Sequence, residues 1–160
     1  MKILLFIILS ILTSSCSSIP KGEKFSGLQA ISKNNGSLYV YRPDKFAMKL
    51  AYPSIYIEGV PVADLLNGSY YFSELSPGTH SIIIKKNPES PKFTDWSMGP
   101  IEINLQVESG KEYFIKIVPF VGACGASYNT ICISTSSQAY LVEKAIAETE
   151  LLETTKLKAK

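Results

Sequence analysis

Residues 101–107, IEINLQV, put Ile101, Ile103, Leu105 and Val107 on one side of an extended chain and Glu102, Asn104 and Gln106 on the other. A period of two suits a half-buried strand and no helix. The same period recurs along the chain in short runs. GSLYVYR alternates Leu38 and Val40 with Tyr39 and Tyr41, and PSIYI and VPVAD flank a Glu58-Gly59 turn. NGSYYFSEL follows the turn pair Asn67-Gly68, SPGTHSIIIKK follows Pro77-Gly78, EYFIKIVPFV follows SGK, and TICIS closes the set. Short strands with frequent turn signals predict a mainly β chain, an antiparallel β-sandwich of about seven to eight strands over residues 36–135. Pro61 confines its strand to an edge, because proline has no N–H to give a neighbour. Thr135 and Gln138 stand in capping-box register ahead of Leu141, Val142, Ala145, Ile146 and Leu152. That pattern predicts one amphipathic C-terminal helix over 136–155, covering an open sheet face or edge. No internal repeat, heptad pattern or second domain is visible.

Charge removes one class of partner. The 160 residues carry 16 basic and 14 acidic side chains, a net +2. Lys2 is the only charge in the first fifteen positions, so without them the balance is 15 against 14, or +1. Nucleic-acid binding rests on many phosphate contacts, and this balance supplies no field for them. Lys156, Lys158 and Lys160 form a basic tail over 156–160, expected to be solvated and fraying rather than set against lipid headgroups.

The N-terminus points to a membrane. Lys2 precedes ILLFIILSIL, which is too short for a bilayer-spanning helix of roughly 20 residues but suits the apolar part of a signal peptide over 1–15. Leu12-Thr13-Ser14-Ser15 before Cys16 resembles the bacterial lipobox, with Leu12 one place further from the cysteine than usual and Thr13 in its slot. The resemblance implies that Cys16 is acylated and becomes the first mature residue, attached to the membrane by several acyl chains. A secreted protein cut nearby and an uncut anchor are the alternatives. Ser17 and Ser18 in place of an aspartate resemble the outer-membrane pattern more than the inner-membrane one, with the domain facing the periplasm. Residues 16–35 then read as a lipidated cysteine and flexible tether. Setting Cys16 aside leaves Cys124 and Cys132, an even pair in an oxidising compartment, expected as a disulfide. Two buried free thiols, a metal site and a catalytic thiol remain as alternatives.

Tyr41-Arg42-Pro43, Gly59, Asn67-Gly68-Ser69-Tyr70, Leu75, Pro77-Gly78, His80 and the Gly110-Lys111 turn before Tyr113-Phe114 together resemble domain of unknown function 2846. The resemblance covers about residues 36–120. The hairpin with its L-x-P-G-x-H-x-I continuation is also similar to PEGA-type surface modules. Both imply a β-sandwich in a bacterial envelope protein, and neither supplies catalytic or binding residues.

No nucleotide-binding loop, nucleophile elbow or paired-histidine motif occurs, and no cofactor or metal is expected. His80 shares a strand face with Ile82 and Ile84, so a packed histidine with one bonded nitrogen outweighs a general base. The aromatic residues are a better candidate surface. Tyr70 and Tyr71 on a tyrosine-rich strand, with Phe93 and Trp96 in the long loop NPESPKFTDWSM, offer rigid apolar area with polar tips. The expected role is binding or structural, not enzymatic, with an envelope protein or glycan as partner. The first alternative is a carbohydrate- or peptidoglycan-binding module using those rings; an enzyme with an unrecognised site comes last.

Overall fold

The computed structural model describes residues 22–45, 49, 51–89, 99–127 and 130–160, with side-chain surroundings outside 120–137. The signal segment, Cys16, Phe93 and Trp96 lie outside the described residues. Among the described residues, nine strands form two sheets. They are β1 (Gly36–Arg42), β2 (Pro53–Ile57), β3 (Val60–Asp64), β4 (Ser69–Leu75), β5 (Gly78–Lys86), β6 (Ile101–Val107), β7 (Glu112–Ser127), β8 (Thr130–Leu141) and β9 (Thr155–Lys156). One helix, α1 (Lys144–Leu151), precedes β9. The first sheet runs β8-β7-β1-β4-β9 and the second β3-β2-β5-β6.

The period-two residues face each other between the sheets. Leu38, Val40, Ile115 and Ile117 from the first sheet meet Ile55, Ile82, Ile84, Leu105 and Val107 from the second, all buried in one cluster. The β2–β3 hairpin turns at Glu58 (φ 51°) and Gly59 (φ 77°), the pair of positive φ values that a two-residue hairpin of matching twist requires. Pro61 lies on β3, an edge strand, as its missing N–H demands.

A second apolar layer covers the other face of the first sheet. Tyr39, Tyr41, Tyr70 and Phe114 pack there with Phe25 and with Ala147 and Leu151 of α1. Tyr39 stacks on Phe114 at 5.3 Å between centroids, and Phe25 meets Tyr70 edge-on at 5.5 Å. All seven residues of β1 are therefore buried, with apolar neighbours on both faces.

Four expectations change. The first sheet is mixed, since β1 pairs parallel with β7 and β4 pairs parallel with β9; alternation reports which side chains share a face and is silent on strand direction. The helix is shorter than 136–155. Thr135 and Gln138 belong to β8, opposite Val121 and Val118, and the helix N-cap is Glu143 with no side-chain cap bond. Pairing with β7 decides the conformation of a run whose local pattern suited either state. Part of the expected tether is built into the fold. Phe25 is 6% exposed, its N–H bonds the Thr154 carbonyl at 3.1 Å, and Lys24 bridges Thr155. The basic tail is likewise held: Lys156 is in β9, and Lys160 bonds the Val62 carbonyl through its N–H and Asp64 through Nζ at 2.7 Å.

Candidate functional site

A gathering of polar and charged groups lies where β1 ends and β4 begins. Arg42 pairs with Ser69 and Tyr41 with Tyr70 across that antiparallel junction. Alternation sends the two neighbours to opposite faces. Arg42 is fully buried on the core side, where Nη1 donates to the Ala51 carbonyl. Burial lowers its pKa to about 10, against the opposing pull of Asp44. Asp44 accepts from Asn67 Nδ2, and Asn67 Oδ1 accepts the Lys45 N–H at 3.1 Å. Ser69 Oγ closes the turn on the Leu66 carbonyl at 2.6 Å, and the Gly68 carbonyl receives the Thr155 N–H.

On the opposite face, Tyr41 donates its hydroxyl to Glu150 Oε2 at 2.6 Å, and Lys116 donates to Glu150 Oε1. Three elements, β1, β7 and α1, thus meet on one carboxylate. Burial raises the Tyr41 phenol far above its ordinary value, and the bond to Glu150 adds to that. Burial also works against the Glu150 charge, but the bonds from Lys116 and Tyr41 prevail and hold its carboxyl below the ordinary range. A charged acceptor fixed by two donors is a clip for the helix. With the phenol kept protonated and the carboxylate kept ionised, neither is poised to exchange a proton near neutrality.

His80 is bonded at both ring nitrogens rather than at one. Nδ1 lies 3.1 Å from Glu58 Oε1 and Nε2 lies 2.8 Å from the Ser76 carbonyl. Glu58 Oε1 also accepts the Ser81 N–H at 3.1 Å, so the histidine joins the β2–β3 turn to the β4–β5 turn. No nucleophile is bonded to this ring among the described residues.

The proposed ring surface changes character. Tyr70 is 4% exposed in the aromatic layer, and Tyr71 is 7% exposed in the core between the sheets. Their rings are packing elements rather than an open platform, so a stacking role for this set would fall to Phe93 and Trp96 alone. Cys124 and Cys132 lie on β7 and β8. Ala123 pairs with Ile133 and Ala126 with Ile131, leaving Cys124 and Gly125 together opposite Cys132. Among the described residues, no group of three or more His, Cys, Asp or Glu is placed to hold a metal ion. An open cleft of about 400 Å³ lies between Gly22-Glu23 and residues 156–159.

Sequence reasoning missed Lys116, Glu150 and Phe25, and named Arg42 only within the resemblance. Two of the three left a trace. Lys116 is a lone charge inside the apolar run YFIKIV, and Phe25 is the one aromatic ring between Ser17 and Asn35.

Some of the residues carrying the resemblance, Tyr41-Arg42-Pro43 and Asn67 to Tyr70, lie at this junction, and the rest lie at other turns and strands. A family model described as a protein of unknown function, DUF2846, matches residues 32–124. An uncharacterized protein of Haemophilus influenzae is 24% identical over 112 residues, which cover 67% of this chain and 60% of that protein. No solved structure matches the chain. Matched over more than half its length, and through the strands that build both sheets, the chain belongs to the DUF2846 family of proteins of unknown function.

Proposed function

We propose that this chain is a lipid-anchored protein of the bacterial cell envelope, held at a membrane by acyl chains on Cys16, with a non-catalytic binding or structural role in the periplasm. The observation that carries the reading is Cys16 itself, set directly behind a charged start, an apolar run and small residues. Several acyl chains suffice for stable attachment where a single one is marginal. Among the described residues no helix is long and apolar enough to cross a membrane. The non-catalytic part is supported by how the polar side chains are engaged: His80 bonds two turns, and Tyr41 and Lys116 hold the helix through Glu150. Ser17 and Ser18 favour the outer membrane over the inner.

The test is the intact, non-reduced mass of the protein extracted from its host's membranes. A mass matching Cys16–Lys160 plus a diacylglyceryl and an acyl group supports the reading. A mass without lipid, from protein recovered in the soluble fraction, overturns it.

A further inference from the structure

Four strands end the two sheets, and three of them are shielded. β3 carries Pro61 and Asp64, and its Val62 carbonyl already accepts the Lys160 N–H. β9 is two residues long and meets the N-terminal segment, Lys24 bridging Thr155 and the Lys156 N–H reaching the Glu23 carbonyl at 2.8 Å. β6 has seven residues, carries Glu102 and ends next to Glu108. Short length, charge, proline and cover are the usual ways of keeping a sheet edge from pairing with another chain.

Among the described residues β8 has none of these. It is twelve residues long and lies at the end of the first sheet. No Asp, Glu, Lys, Arg or His occurs anywhere from Ile117 to Val142. Pairing of β7 with β1 stops at Lys116, while β7 and β8 continue together to Ser127 and Thr130. At about 3.3 Å per residue the ribbon runs roughly 35 Å past the last β1 pair.

The geometry points to β8 as the seam of a homodimer, in which two copies pair edge to edge and antiparallel about a two-fold axis. The two five-stranded sheets then join into one continuous ten-stranded sheet. An antiparallel edge is complementary to itself, each free N–H of one copy meeting a C=O of the other. Neutrality is what selects the twin as occupant. On a two-fold seam a residue near the axis faces its own copy, so any charge there repels itself, and this strand carries no charge over its whole length.

Sedimentation equilibrium of the full chain in density-matched detergent tests this. Wild type is compared with Thr135→Lys and Ser137→Lys near the strand midpoint, and with Asn104→Lys on β6 as a charge control. Dimeric wild type and control, with the β8 variants dissociating at least about tenfold more readily, is the expected result. Far-UV circular dichroism establishes that the variants are folded. Should a lysine unfold the hairpin, amide hydrogen exchange on wild type decides instead: β8 protection rises with protein concentration if the seam exists. A wild type that stays monomeric, lysine variants that are folded and equally dimeric, or β8 exchange independent of concentration each overturns the proposal. So does a ribbon protected by lipid vesicles rather than by a second copy.

Discussion

Replacing Tyr41 by phenylalanine deletes one oxygen and keeps the packing. The phenol is fully buried and donates to Glu150 Oε2 at 2.6 Å, while Lys116 holds the other oxygen. A hydrogen bond to a charged group contributes about 1.5–3 kcal/mol. The Glu150 side chain is 28% exposed, so water replaces part of the lost bond and the cost falls at the lower end, about 1.5 kcal/mol. For a domain of this size that is a drop of about 3–6 °C in Tm. The sign of the pH dependence follows from Glu150, whose carboxyl is held below its ordinary range in the fold. A depressed carboxyl contributes stability that is complete above the unfolded-state pKa, about 4.3, and is lost as pH falls through the folded-state value. Tyr41 is one of the groups holding it down, so the gap between wild type and variant should be full at pH 7 and narrow below about pH 4. Urea unfolding followed by far-UV circular dichroism at both pH values measures it. A variant as stable as wild type at pH 7, or a gap of equal size at both pH values, refutes the reasoning.

Leu151→Ala empties a fully buried position where α1 sits on the aromatic layer, and should cost about 2–4 kcal/mol in urea unfolding. Gly36→Ala should lose about 1–3 kcal/mol, because its Cβ would stand 2.6 Å from Val107 Cγ1 and 2.8 Å from the Glu108 carbonyl. Gly99→Ala, with no atom of the described residues within 4 Å of the new methyl, should stay within about 0.5 kcal/mol of wild type in the same assay. Cys124 and Cys132, brought opposite each other at the β7–β8 irregularity, should appear in a non-reduced digest as one linked species that dithiothreitol separates. Two thiols that alkylate without reductant would exclude the bond.

Some of this architecture was legible because a local pattern encoded it. Ile101 to Val107 alternate, and alternation is a statement about faces that any sheet must respect. Glu58-Gly59 names a turn because only certain residues tolerate positive φ, and Pro61 names an edge because it lacks a donor. What stayed hidden depends on partners distant in sequence. Tyr39 and Tyr41 alternate with Leu38 and Val40 as though they faced water, yet α1 and Phe25 cover them, and their amphipathic rings suit either setting. Ser136 to Leu141 read as a helix start until β7 is laid beside them. The Glu150 clip joins residues 34 and 109 positions apart, a distance at which periodicity carries no information.

The place of β9 constrains how the molecule is made. Two residues near the C-terminus, Thr155 and Lys156, fill the slot between β4 and the segment around Lys24, so two parts of the chain about 130 residues apart meet on one sheet edge. The sheet edge, and the seating of Phe25 on the Thr154 carbonyl, therefore depend on residues 154–156 being in place. Without β9 the β4 edge of the first sheet is open, and long-range pairing of this kind forms slowly.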